Sequence, residues 1–257
     1  MKPCALCLSQ KPLQKSHIVP EFMYREYIYE MKNGVKEKFM GVSRDEFDSV
    51  RNYGKGLTEE LLCADCESKL SRSEDYAAKF FKAEIMPSKI DENQIFYENL
   101  KYKELKLFFM SLLWRYAVTT RTEFEGAKII DKHKERLRLM LHNEDPGEPG
   151  EYPCVINVIL HGGSQLSGFI APPMLGKLEA HRIWQIVICG YYFRFFVSSH
   201  APTNIVNELI LAKSGKLILM IEELKNIPAL YKFCLEIRDA MIKRKSIPKK
   251  DLKWPIK

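Results

Sequence analysis

The feature that most constrains this chain is a short motif that occurs twice: Cys4-Ala-Leu-Cys7 near the start and Cys63-Ala-Asp-Cys66 further along. Two residues between cysteines let one tight turn offer both sulfurs to a single metal, and zinc prefers four tetrahedral thiolate or imidazole ligands. The two pairs together predict one closed four-cysteine zinc site. The alternative is two unrelated thiol pairs. Against it stands the small total: the chain has seven cysteines, an odd number that also argues against a closed disulfide framework. Cys154, Cys189 and Cys234 lie in apolar runs and read as core residues. A closed four-sulfur site is structural and does not itself imply catalysis. The stretch between the pairs is longer than a simple zinc ribbon needs, which leaves room for a functional insert.

Length and charge set the frame for that insert. A chain of 257 residues can bury a real core as one large domain or two small ones. No apolar run reaches the ~20 residues that a membrane-spanning helix requires. The nearest, residues 182–199, is interrupted by Gln185 and Arg194. The N-terminus lacks the charged-then-apolar layout of a secretion signal, so a cytoplasmic, non-membrane protein is expected. The net charge of +7 permits a polyanionic partner without requiring one.

Three textures follow one another along the chain. Residues 1–80 hold both cysteine pairs. Residues 81–145 read as helical. Tyr102–Thr119 carries strong helix formers around a wide apolar face, and Gly126–His142 spaces Ile129, Ile130, Leu137, Met140 and Leu141 near the helical period. Residues 143–153, with three prolines and two glycines, read as a linker. Residues 150–257 form a third region. Cys154–Leu160 and Ile183–Ser199 are β-branched and aromatic, as strands are, with Gly190 marking a bend or bulge. Leu209–Ile221 predicts a hairpin around Lys213–Lys216, and a helix follows from Pro228 to Lys243. The tail is basic and proline-punctuated. The fold class expected is α+β.

Between the cysteine pairs stands Ser16-His17-Ile18-Val19-Pro20, and the second pair is embedded in Leu61-Leu62-Cys63-Ala64-Asp65-Cys66-Glu67, trailed by Glu74-Asp75-Tyr76. This layout resembles the HNH endonucleases of the zinc-stabilised, treble-clef type with a ββα-metal core, specifically a branch with SHIVP followed by LLC-x-x-CE. The resemblance covers about residues 1–76. It implies that His17 is the general base, taking a proton from the water that attacks the scissile phosphorus, and that a divalent Mg²⁺ or Mn²⁺ stabilises the phosphate and the leaving oxygen. It implies double-stranded DNA as substrate and, by the habit of such families, a defence role. The residues at the family's metal-ligand positions are Ser16 and Glu67. Here the chain departs from the pattern. Ser16 stands where an acidic ligand is usual, Glu67 where a histidine is usual, and Thr58 near the place of an asparagine. Glu74, seven residues after Glu67 and on the same helix face, is a candidate replacement ligand, with Ser71 beside it.

Phosphate contacts beyond such a core are expected from Lys132, Lys134, Arg136 and Arg138 on the second helix, and from Lys243, Arg244, Lys245, Lys249 and Lys250 near the end of the chain. The bland alternative for each cluster is a solvated face. Arg115, beside Trp114 in an apolar helix, needs a partner or a surface outlet; the partner is either a carboxylate of the insert or a bound phosphate. His133 and His142 read as exposed. Two rivals to the nuclease remain. One is a zinc-stabilised nucleic-acid-binding module that has lost cleavage. The other is a structural subunit whose zinc site organises an interface with a partner.

Overall fold

The structure is a computed structural model that describes residues 2–25, 31–32, 35–36, 40–42, 50–52, 57–125, 128–166, 169–178, 181–197 and 207–243. The chain opens with the first cysteine turn and strand β1 (Leu13–His17), then a 3-10 turn at Glu21–Met23. Short strands follow: β2 (Met31–Lys32), β3 (Val35–Lys36), β4 (Met40–Val42) and β5 (Val50–Asn52). Strand β6 (Thr58–Cys63) returns antiparallel to β1 and runs straight into helix α1 (Ala64–Phe81). After β7 (Lys89–Ile90) and β8 (Gln94–Tyr97) come helices α2 (Tyr102–Val118) and α3 (Asp131–His142). The rest is mainly sheet: β9 (Cys154–His161), β10 (Ser164–Gln165), β11 (Phe169–Ile170), β12 (Met174–Leu178), β13 (His181–Ile188), β14 (Tyr191–Phe196) and β15 (Leu217–Glu223). Helix α4 (Pro228–Lys243) comes last. The class is mixed α+β, and among the described residues no helix is long and apolar enough to cross a membrane.

The three stretches with different textures do not pack as separate bodies. The large sheet runs β5-β4-β11-β13-β14-β9-β15-β8-β7, so strands from the N-terminal and central stretches extend a sheet whose middle is C-terminal. One hydrophobic core spans them all, from Cys4 and Leu6 through Leu105–Leu113 to Phe193 and Leu219. Strand alternation sorts β14 into two faces. Tyr191 and Phe193 point at the helices, where Phe81 of α1 and Phe109 of α2 meet them edge-on or tilted. Tyr192 faces the other way, into a smaller core with Leu230, Phe233 and Cys234 of α4.

Helix α2 is the centre of this arrangement. All twelve residues from Leu105 to Tyr116 are buried, so the helix packs all round, as a helix with no wide polar face must. That burial traps two cations. Lys106 donates to the carbonyls of Pro149, Glu151 and Tyr152 and thereby closes the linker onto the helix. Arg115 sits near the other end. The last turn of α2 is pinned to β6, where the Glu59 carboxylate accepts from the Thr119 and Thr120 hydroxyls and from the Thr120 N–H.

Several local expectations are met and two are corrected. Cys189 and Gly190, at φ 46° and 85°, form the tight bend between β13 and β14 that the glycine marked. Cys154, Cys189 and Cys234 are buried. The helix expected from residue 126 starts instead at Asp131, with Ile129 buried and Ile130 exposed. The expected hairpin around residues 213–216 does not form. Gly215, at φ 79°, makes a turn, but β15 then pairs in parallel with β9 and antiparallel with β8 rather than with residues 209–212. A parallel partner brought in from a distance leaves no signal in the short local pattern.

Candidate functional site

The two cysteine turns meet. Cys4 and Cys7 sit on a turn closed by the Leu8 N–H donating to the Cys4 carbonyl, with Leu8 at φ 62°. Cys63 ends β6 and Cys66 lies in the first turn of α1. The four sulfurs all lie within 4.8 Å of one another, and the Cys7 and Cys63 sulfurs are 3.8 Å apart. A tetrahedron with metal–sulfur bonds of about 2.3 Å has edges of about 3.8 Å. The donor set therefore fits a zinc-like ion in both chemistry and size. Burial raises the Cys63 and Cys66 thiols; for Cys7, hydrogen bonds with Ser9, Cys4 and Cys66 together outweigh burial and bring it to about 6. A bound cation relieves this crowding because it takes all four as thiolates.

Arg138 buttresses the first turn: its guanidinium donates to the Leu6 carbonyl at 2.7 Å and bonds Glu135. This removes it from the expected phosphate-binding face. Lys134 is paired with Asp131 at 2.6 Å, and Arg136 is paired with Glu151. Of the four helix cations named from sequence, Lys132 alone has no partner among the described residues. The helix reads as basic in sequence, but most of its charge is spent on neighbouring carboxylates. His133 and His142 are half-buried rather than exposed, and His133 bonds the Tyr152 hydroxyl at 2.9 Å. The side chain of Lys243 is not described, and Arg244, Lys245, Lys249 and Lys250 lie outside the described residues.

His17 closes β1 and opens onto a cleft of about 370 Å³. Lys15, Glu21, Phe22, Glu67, Glu74, Asp75, Lys82 and Arg115 also line it. The histidine is there because β1 ends on it, while Pro20 starts the 3-10 turn that folds Tyr24 back. Its Nδ1 and the Tyr24 hydroxyl are 2.8 Å apart, which fixes the ring. Burial lowers the His17 pKa below the usual imidazole value, with Glu21 opposing and Arg115 adding to the effect. The ring is therefore mostly neutral at pH 7, the state a base requires.

Glu67 and Glu74 lie on one face of α1, and both reach this cleft. The charge they meet is Arg115. Its guanidinium, 1% exposed, donates to the His17 carbonyl at 2.6 Å, approaches Glu74 to 2.6 Å and lies 3.8 Å from Glu67. Burial raises the Glu74 pKa, and Arg115 pulls the other way. The close Arg115–Glu74 contact is a charge contact without hydrogen-bond alignment. Glu67 Oε1, Glu74 Oε1, Arg115 Nε and Arg115 Nη2 are all buried without an aligned hydrogen-bond partner. Of the partners expected for Arg115, an insert carboxylate or a bound phosphate, the first is corrected: among the described residues, two carboxylates of α1 meet it instead. Among the described residues, only the four thiols form a cluster of three or more residues that could hold a metal.

Ser16 is not in the cleft. The strand pair carries an irregularity between Gln14 and Lys15, where Leu61 drops out of register. The Leu62 N–H left over is accepted by the Ser16 hydroxyl at 3.1 Å. That hydroxyl, 1% exposed, repairs the hairpin rather than offering itself as a metal ligand. Ser71 bonds the Ser68 carbonyl and likewise stays out of the cleft. Tyr24 and Lys82 carried no sequence signal for a role here. Arg115 did, as a charge within the apolar stretch of a helix.

No family model, no curated protein and no solved structure matches the chain.

Proposed function

We propose that this protein is a metal-dependent phosphodiester hydrolase acting on nucleic acid, with double-stranded DNA the favoured substrate. Its N-terminal module is read as a zinc-stabilised treble clef: cysteine turn, β1, β6, then α1 carrying the second pair. The observation that carries the proposal is the His17 imidazole, fixed by Tyr24, in one cleft with the Glu67 and Glu74 carboxylates. His17 takes a proton from water as the water oxygen bonds to phosphorus, and the bond from phosphorus to the leaving oxygen breaks. Glu67 and Glu74 offer oxygen donors suited to Mg²⁺ or Mn²⁺, which when bound supplies positive charge for the phosphate and the leaving oxygen. Lys15 and Lys82 line the same cleft without an ion pair among the described residues, and they are available to phosphates.

A supercoiled plasmid incubated with Mn²⁺ or Mg²⁺ tests this. Wild type is expected to nick or linearise it, and His17→Ala is expected not to. The arginine between the two carboxylates favours a second reading, a zinc-organised module that binds nucleic acid without cutting it. Salt-dependent DNA binding with no cleavage under either metal selects that second reading.

A further inference from the structure

We infer that Arg115 makes the cleft accept a divalent cation and a phosphate as a pair, each weakly alone and tightly together. The inference rests on the hydrolase proposed above. It starts from the four buried atoms without aligned partners. Two are carboxylate oxygens, on Glu67 and Glu74, which want a cation; two are guanidinium nitrogens of Arg115, which want an anion. All three side chains line one cleft. Arg115 and Glu74 meet only through a misaligned charge contact, so the group is short of hydrogen bonds.

Formal charge explains the coupling. Two ionised carboxylates and one guanidinium sum to minus one. A phosphate entering alone reaches Arg115 but meets Glu67 and Glu74, which repel it. A divalent cation entering alone reaches the carboxylates but must stand beside a buried guanidinium that cannot lose its proton. A cation carrying a phosphate does neither: the carboxylates face the metal, the guanidinium fork faces the phosphate oxygens, and the like-charge contacts are screened by their opposites. Arg115 also donates to the His17 carbonyl, so the group that would hold the phosphate is tied to the strand that carries the base. Arg115 is thus both a phosphate-binding and a positioning residue. Its role is distinct from that of Lys106 on the same helix, which reaches only backbone carbonyls.

The test is Mn²⁺ binding to the zinc-loaded full chain, followed by water proton relaxation, with and without inorganic phosphate. Phosphate is expected to tighten Mn²⁺ binding by about tenfold or more, within the usual range of coupled sites. Arg115→Met is expected to bind Mn²⁺ more tightly without phosphate and to lose the response to it. An unchanged Mn²⁺ affinity in the wild type on adding phosphate overturns the inference, as does an Arg115→Met protein that responds like the wild type. Should that variant not fold, the wild type alone decides through the reciprocal measurement: phosphate affinity with and without Mg²⁺ must change by the same kind of factor. Coupling without plasmid cleavage keeps this inference and removes the hydrolase; cleavage without coupling does the reverse. No Mn²⁺ bound under either condition removes both.

Discussion

The four-sulfur cluster and the His17 cleft lie on the two ends of the same strand pair, and they are built on opposite plans. In the cluster, four like ligands converge with the spacing of a tetrahedron, and every ligand comes from one of two tight turns. In the cleft, unlike groups converge: an imidazole from a strand end, two carboxylates from α1 and an arginine from α2. The first arrangement is closed and saturated, suited to holding the fold. The second leaves buried donors and acceptors without aligned partners.

The largest expected difference between the two is in stability. Removing the cation from the cluster, by chelation or by Cys66→Ala, should unfold the N-terminal module, since structural zinc contributes on the order of 10 kcal/mol of folding free energy. Circular dichroism and metal content would show it, and a module that melts unchanged without metal would mean the cluster is not the organiser. In the cleft, Arg115→Met should cost about 3–5 kcal/mol by stranding Glu74 and Glu67, read from denaturant midpoints. Glu74→Gln, which keeps the shape and removes the charge, should cost less. A smaller effect, about 1–3 kcal/mol, is expected from Ser16→Ala, which strands the buried Leu62 N–H.

The pH dependence sharpens the same contrast. The His17 pKa is lowered in the folded state, chiefly by burial. The unfolded chain therefore binds this proton more readily, and the stability linked to His17 is present above about pH 6.5 and declines as pH falls toward the folded value. Hydrolysis should likewise be level through pH 7 and decline only at a pH below about 6.5. An activity limb centred above 7 would point to another base. Smallest of all, Lys134→Ala and Arg136→Ala should shift stability by less than about 1 kcal/mol and leave the salt dependence of DNA binding unchanged, because both side chains are already paired with carboxylates.

The contrast also explains what the sequence made legible. The thiol site could be read because its ligands are rare residues at a spacing that only one turn geometry satisfies. Helix α2 is legible in strong helix formers around a wide apolar face, and the β13–β14 bend in Gly190. Ser16 and Glu67 stand out by motif position and Glu74 by sharing a helix face with Glu67; motif position cannot tell a side chain that opens on a cleft from one that mends a bulge. Ser16 does the latter. The α3 cations read as a binding face by composition, although Asp131 and Glu135 on the same helix pair Lys134 and Arg138; only Glu151, the partner of Arg136, lies off the helix, in the linker. The role of Arg115 depends on a contact between residues 98 positions apart, His17 and Arg115, which no local pattern encodes.

Single-turnover cleavage by wild type and His17→Ala, matched for zinc content and with imidazole added back, bears most directly on the central claim. The account predicts a fall of about 100-fold or more on losing the imidazole, with part of the rate restored by free imidazole. Equal rates in the two proteins, or no cleavage by a fully metal-loaded wild type, would contradict it.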